Sequence, residues 1–171
     1  MILDINTLFF HTGSAYAFTA GEFVSLAALT ASGLASTVID MTVAQDPGIG
    51  DGVAVPRIAV KVGTGITSAS TGLRLNWQAQ GSTDSTNWTT YAETGANATS
   101  SFEAGEWILP IAWPRRPSGV SLPRYLRMNM AVTGITNETI TIGTIIGGLV
   151  LQRSDSDDTL GQYPSNFTVA A

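Results

Sequence analysis

The sequence predicts an all-β protein, an antiparallel β-sandwich or jelly roll with extended N- and C-terminal arms. Short runs rich in Val, Ile, Thr, Trp and Tyr recur along its 171 residues, and these residue types favour pleated sheets. The chain's 18 glycines and 7 prolines lie mostly between the runs. Several short strands divided by turn signals, with no heptad pattern and no long amphipathic helix, indicate a sandwich in a single domain.

The first predicted strands lie at residues 38–43 and 53–62. The segment 46–52 between them is rich in Gly and Asp and reads as a turn or loop. In the second run apolar residues alternate with polar or small ones. This period of two is typical of a strand with one buried face.

A hairpin is predicted over residues 73–92. Leu, Trp and Ala alternate with Arg, Asn and Gln at residues 73–80, which indicates a half-buried strand with Trp77 on its apolar face. Residues 81–87 form a cluster of turn residues. Residues 88–92 then return as the partner strand.

Three further strands are predicted at residues 105–109, 126–132 and 139–152. The last stretch is uncharged and contains the pair Gly147 and Gly148. Its Ile and Thr content favours strand over helix. The glycine pair predicts either two strands or one strand with a bulge.

The predicted organisation is one domain with two arms. Residues 1–37 form an N-terminal arm and loop, in which residues 22–29 are the best helix candidate. Residues 38–153 form the β core. Residues 154–171 form a C-terminal arm, beginning with the acidic segment 154–158, which reads as solvated chain.

The composition is poor in charge. Charged residues make up 12% of the chain, about half the usual share of ~25%. Obligate protein interfaces are depleted in charge, so one interpretation is that much of the surface is buried against neighbours. The alternative is that the abundant Ser and Thr hydroxyls suffice for solubility.

The net charge of −5 disfavours nonspecific nucleic-acid binding, which depends on Lys and Arg neutralising phosphates. The long uncharged runs are diluted by Ser, Thr and Gly, so no membrane partner is predicted.

Catalytic chemistry is not indicated by any motif. The chain has no cysteine and one histidine, His11, and the Gly-x-Ser-x-Gly motif of serine hydrolases does not occur. The carboxylates of Glu103 and Glu106 have no visible partner constellation. We therefore predict a protein that is not an enzyme and that has no catalytic residue, cofactor or metal site.

A proline-rich loop carries a local basic cluster. Four of the 8 basic residues lie at positions 115–127, shortly after Trp113. Trp and Arg are enriched at the energetic centres of protein interfaces. Arg115, Arg116 and Arg124 are therefore candidate contact residues, unless they pair with acids of the same subunit.

Three segments in order suggest a family. They are Met-Ile-Leu-Asp at residues 1–4, Arg-Tyr-Leu-Arg at 124–127 and Tyr-Pro-Ser-Asn-Phe-Thr-Val at 163–169. Together with the Ile-Asp strand and the hairpin, the chain resembles the capsid cement (decoration) proteins of tailed bacteriophages, of the jelly-roll type described in a short-tailed Bordetella phage. The resemblance covers about two-thirds of the chain discontinuously. Residues 12–37 depart from it, since they are longer than the family's spacing.

This resemblance implies a non-enzymatic structural protein on the outer surface of the virion's capsid, assembled in the host cytoplasm. Such a protein cements neighbouring major capsid proteins of an icosahedral head against internal DNA pressure. Its partners would be the major capsid protein and itself, with a dimer at two-fold positions favoured and a trimer second.

Contact candidates follow from the basic cluster and from both arms, whose apolar residues could pair with a sheet edge on a neighbour. They are Leu3, Leu8, Phe9, Phe10, Trp113, Arg115, Arg116, Arg124, Tyr163, Phe167 and Val169.

A second hypothesis is a carbohydrate- or receptor-binding β-sandwich module of a virion, because the fold alone does not separate the two functions. Sugar binding requires Trp88, Trp107 or Trp113 together on one exposed face.

Overall fold

The computed structural model describes residues 8–10, 23–27, 34–47, 56–69, 71–134 and 139–151. These residues form an all-β sandwich of two antiparallel sheets, as the sequence predicts. Its strands are β1 (Leu8–Phe10), β2 (Val24–Ser25), β3 (Leu34–Ala35), β4 (Ile39–Asp40), β5 (Pro56–Ser68), β6 (Arg74–Ser82), β7 (Thr89–Glu93), β8 (Asn97–Ala98), β9 (Trp107–Ile108), β10 (Tyr125–Thr133) and β11 (Ile140–Leu151).

The first sheet has the order β1-β11-β5-β9, and β2 also pairs with β11. The second sheet has the order β3-β10-β6-β7, with β4 pairing with β10 and β8 with β6. A single 3-10 turn of three residues, Thr99–Ser101, is the helical element within the described ranges.

The core lies between the inner faces of the two sheets. Strands β6 and β10 supply it by strict alternation, and their register pairs Met128 with Ala79 and Met130 with Trp77. The Trp77 ring is fully buried and makes edge-on contacts with Phe10 (5.9 Å) and Phe102 (6.3 Å) between ring centroids. Such contacts add to the large apolar area that each aromatic ring removes from water.

The predicted hairpin is confirmed. Strands β6 and β7 pair antiparallel, and the Asp84 carboxylate organises the turn between them. It accepts hydrogen bonds from the backbone N–H groups of Thr86 (2.9 Å) and Asn87 (2.8 Å) and from the Asn87 side chain (2.7 Å). These bonds hold the pKa of Asp84 well below its usual range.

The long uncharged stretch forms one strand, β11, rather than two. In its pairing with β5 the register shifts lie between Ile140 and Ile145. In its pairing with β1 the register shifts opposite Gly147 and Gly148, so the irregularity predicted at the glycine pair is present on that side. Gly147 also permits a close strand approach. Its φ is +155°, and a Cβ there would collide with the Ala59 carbonyl oxygen and the Val60 Cα.

The described parts of residues 1–37 belong to the sandwich rather than to an arm and loop. Three strands of the sandwich, β1, β2 and β3, lie within them. The helix predicted at residues 22–29 is wrong in the part described, where β2 pairs with β11. The local sequence of residues 1–37 carries no sign of a partner strand, because each partner residue lies more than 90 positions away.

Candidate contact surface

Three candidate contact residues are core residues. Phe9, Phe10 and Trp113 are each at most 2% exposed, and the Trp113 ring lies 6.1 Å from Phe9 and 6.4 Å from Tyr91 between centroids. Their side chains therefore offer no surface to a partner. Their apolar rings are better explained by the sandwich core than by an exposed arm or loop.

Two of the three candidate arginines are engaged within the chain. Arg124 donates from Nε and Nη2 to the two carboxylate oxygens of Asp40, at 2.8 Å each. Arg116 donates its backbone N–H to Asp46 Oδ2 (3.3 Å) and a guanidinium N–H to the Val120 carbonyl. The alternative reading of the basic cluster, pairing with acids of the same subunit, thus holds for these two residues.

The Asp40–Arg124 ion pair shifts the pKa of both groups. Hydrogen bonds from Arg124 and from the Thr42 backbone lower the pKa of Asp40. The same side-chain bond and the Asp40 charge raise the pKa of Arg124. Each group therefore already has its compensating charge. Arg115 is exposed and makes no hydrogen bond or ion pair with another residue of the described ranges.

The outer face of the second sheet carries a hydrogen-bonded array that we call the outer-face network. It arises because β6, β7 and β10 turn their polar positions to the same side. Its members are Asn76, Gln78, Gln80, Thr90, Glu93, Arg127 and Asn129.

Gln80 and Gln78 are the centre of the outer-face network. Gln80 Nε2 donates to Gln78 Oε1 (3.0 Å) and to Thr90 Oγ1 (3.2 Å). Gln78 Oε1 also accepts from Asn129 Nδ2 (2.9 Å), and Gln78 Nε2 donates to Glu93 (3.2 Å). The polar side chains of this face are therefore held in place before any partner arrives.

Arg127 stands at one side of the network beside Trp88. Its Nε donates to Gln80 Oε1 (2.8 Å), and its guanidinium carbon lies 4.1 Å from the centroid of the Trp88 ring. Burial lowers the pKa of Arg127. Among the described residues no carboxylate forms an ion pair with it.

A second stack of the same type lies next to the first. Arg124 lies 5.0 Å from the centroid of the Tyr125 ring, and Tyr125 occupies the outer face of β10 two positions before Arg127. The outer face thus presents two aromatic rings, Tyr125 and Trp88, each covered by an arginine.

A cleft beside this face is small. It measures about 190 Å³ and is lined by residues that include Gly81, Asn87, Tyr91 and Val120. Small-molecule sites generally enclose about 300–1,000 Å³. The open face of the second sheet is therefore the stronger candidate for a contact surface.

The tryptophans required for sugar binding do not meet on one face. Trp88 is on the outer side of the second sheet, whereas Trp107 pairs with Lys61 on the first sheet. Trp113 is in the core. The aromatic platform expected by the second hypothesis is not assembled by these three rings.

From the sequence, Trp88 was a candidate for sugar binding only, and Arg127 was not among the candidate contact residues. Trp88 was part of the predicted strand at residues 88–92, and Arg127 was part of the basic cluster. The alternation of residues 126–132 already placed Arg127 on the polar face of its strand. Their contact depends on the register of three strands, which local patterns do not determine.

The remaining candidates lie outside the described residues. They are Leu3, Tyr163, Phe167 and Val169, together with the acidic segment 154–158 and His11. For Leu8 only the backbone is described, and it pairs with Gly148.

Over the ranges described, no group of three or more His, Asp or Glu side chains is arranged to hold a metal ion. The same ranges contain no helix of the length and apolarity needed to cross a membrane. No protein-family model matches the chain, and the curated proteins contain no significant match to it. The resemblance to cement proteins therefore stays a prediction from the sequence.

Proposed function

We propose that this chain is a non-enzymatic virion protein that binds the outer surface of an icosahedral phage head and cements neighbouring major capsid proteins against internal DNA pressure. The resemblance of three segments to cement proteins motivates the proposal. The observation that carries it is the outer-face network, where hydrogen bonds fix mostly uncharged side chains beside the Arg127–Trp88 pair.

This surface has the chemistry of a protein interface. Interface centres are depleted in charge and enriched in Trp, Tyr and Arg. Side chains that are already ordered lose less conformational entropy when a partner binds. The first sheet also exposes uncharged groups, since Thr67 and Thr141 bond through their hydroxyls (3.0 Å) and Ile142 is 54% exposed.

Cementing needs stiffness and repetition rather than bond chemistry. The long β5–β11 pairing and the shared aromatic core make a rigid unit. When one site of such a unit is engaged, the effective concentration at the next site rises, so many weak contacts act together. A modest affinity per contact is then sufficient.

The proposed partners are the major capsid protein and a second copy of this chain. A dimer on two-fold positions is preferred to a trimer, because two-fold homodimers are the commonest closed assembly. The proposed location is the outer surface of the capsid, after assembly in the host cytoplasm.

Co-sedimentation tests the proposal. The purified chain is mixed with heads of the virus that encodes it, after the heads have been stripped of this protein. We expect saturable binding at a copy number commensurate with the major capsid protein. Stripped heads should also recover resistance to heat or osmotic shock.

Absence of saturable binding to heads, by a chain whose circular dichroism is native, contradicts the proposal. A glycan array then becomes the next test. Binding at a copy number unrelated to the capsid lattice contradicts the cementing geometry.

A further inference from the structure

Arg127 differs from Arg116 and Arg124 of the same basic cluster in how its charge is compensated, and it differs from Arg115 in being partly buried. Arg124 and Arg116 have carboxylates within the chain, and Arg74 donates to the carbonyl oxygens of Thr71 (2.7 Å) and Leu73 (3.1 Å). Arg127 is partly buried, yet its contacts in the described residues are the neutral Gln80 amide and the Trp88 ring. The part of the chain that the structure describes thus orients this charge but does not neutralise it.

We infer that the Arg127 guanidinium, positioned by Gln80 and Trp88, is the docking point for a carboxylate side chain of the protein that this chain binds. The inference rests on the proposed function for the identity of that partner, the major capsid protein. It adds the chemical group that the partner supplies.

The geometry suits a carboxylate. The bond to Gln80 uses Arg127 Nε (2.8 Å). A guanidinium has five N–H donors, so four remain on the two terminal nitrogens, and one from each of these nitrogens forms the planar edge that binds a carboxylate through two bonds. The Trp88 ring covers the guanidinium at 4.1 Å and limits its rotamers, which reduces the entropy lost on docking.

The electrostatics favour a single acidic side chain over a polyanion. The chain carries a net charge of −5, and Glu93 belongs to the same outer-face network. A polyphosphate backbone would bring several negative charges against a chain whose own net charge is negative. One carboxylate instead compensates the desolvation that lowers the pKa of Arg127.

Three variants test the inference on stripped heads. Arg127→Gln removes the docking charge, and we expect head binding to weaken about tenfold or more, as at interface hot spots. Arg124→Gln is the matched control, since that arginine is already neutralised by Asp40, and binding should change less than about threefold on the same scale. Gln80→Glu keeps Arg127 but gives it a carboxylate inside the chain, so binding should weaken as in Arg127→Gln.

A measurement without heads separates the two proposals. NMR of the arginine Nε–H groups in the full chain is recorded during titration with a blocked Ala-Glu-Ala tripeptide, which carries one carboxylate. A blocked Ala-Gln-Ala tripeptide is the neutral control, and inorganic phosphate is the second anion. We expect the Arg127 signal to shift with the Ala-Glu-Ala tripeptide, to move less with phosphate, and to stay unchanged with the Ala-Gln-Ala tripeptide.

The outcomes are distinct. Binding to heads that is equal in the wild type and in a folded Arg127→Gln variant overturns the inference and leaves the cement function standing. An Arg127 signal that shifts while the wild type ignores heads supports the carboxylate site and contradicts the cement function. A stronger response to phosphate than to the Ala-Glu-Ala tripeptide overturns the choice of a carboxylate.

Discussion

Arg124 and Arg127 lie three positions apart, and each covers an aromatic ring on the outer face of the same sheet. The Arg124 charge is neutralised by Asp40, which accepts two hydrogen bonds from its guanidinium. Strand β4 places that acid beside the start of β10. Arg127 lies opposite Gln80, an amide, and keeps its charge uncompensated among the described residues. Two arginines three positions apart, one just before β10 and one within it, can therefore be structural or available for binding, depending on which strand lies beside them.

The same contrast holds between the two faces of the second sheet. Inner residues such as Trp77 and Met128 are held by apolar packing. Outer residues such as Gln78 and Gln80 are held by directional bonds. The inner face is expected to determine stability, and the outer face is expected to determine recognition. The predictions below test this division, from the largest expected effect to the smallest.

Trp77→Ala should cause the largest loss of stability. Truncating a fully buried aromatic side chain costs about 3–5 kcal/mol of unfolding free energy, and Trp77 is 0% exposed between Phe10 and Phe102. Urea unfolding measures it. Trp88→Ala is the matched control on the outer face and should cost about 1 kcal/mol or less. Equal losses for the two tryptophans would contradict the division between faces.

Gln80→Leu should cause an intermediate loss. Gln80 is 7% exposed and bonds Gln78, Thr90 and Arg127. Removing one member of a buried polar set leaves the others unsatisfied, at a cost of about 1–3 kcal/mol. The near-UV circular dichroism of Trp88 should also change, because Arg127 loses its positioning bond. Asn76→Ala, which removes one bond to Glu93, should have a smaller effect on both readouts.

Acid should destabilise the protein through its turn and outer face. Hydrogen bonds lower the pKa of Asp84 (from Asn87 and Thr86), of Asp40 (from Arg124) and of Glu93 (from Asn76). The folded chain then binds fewer protons than the unfolded chain. This stabilisation is present above the ordinary pKa values of 3.8 for Asp and 4.5 for Glu, and it is lost as the pH falls below them.

Urea midpoints at pH 5 and pH 3 measure this effect. Asp84→Asn should reduce the difference between the two midpoints, since the amide does not titrate in this range. If the variant shows a difference as large as that of the wild type, Asp84 does not contribute to the loss of stability in acid.

Asp40→Asn should have the smallest effect on stability and the most informative one on binding. Asp40 and Arg124 are exposed, with side-chain accessibilities of 41% and 44%, and exposed ion pairs contribute little. Once Asp40 is neutral, Arg124 has no carboxylate partner, as is the case for Arg127 among the described residues. Its Nε–H signal should then shift with the blocked Ala-Glu-Ala tripeptide. An Arg124 signal that stays silent in this variant would mean that Asp40 is not what separates the two arginines.

The strands could be predicted wherever one strand carries its own alternation. Residues 73–80 and 126–132 alternate strictly, and they form β6 and β10. The short strands β1 and β2 could not be predicted in the same way, because two or three residues carry no period and become strands through pairing with β11. The uncharged composition of β11 was visible, but its Gly147 serves close strand approach instead of a break.

The site was less predictable than the fold. The basic cluster at residues 115–127 was apparent from the sequence, but Trp113 belongs to the core. Arg116 forms an ion pair with Asp46, and Arg124 forms one with Asp40. Each acid lies more than 60 positions away in the sequence. A linear pattern reports which residue types are close in sequence, whereas ion pairing depends on which strands become neighbours.

The sequence by itself determined the all-β class, the low charge and the polar face of each long strand, because these follow from composition and from the two-residue period of a pleated chain. Only the tertiary structure decided that Phe9, Phe10 and Trp113 fill the core, that Asp40 neutralises Arg124, and that Gln80 and Trp88 hold Arg127. The physical reason is register. Each of these contacts joins segments whose relative position is set by long-range strand pairing, and a shift of one residue would turn every side chain to the opposite face.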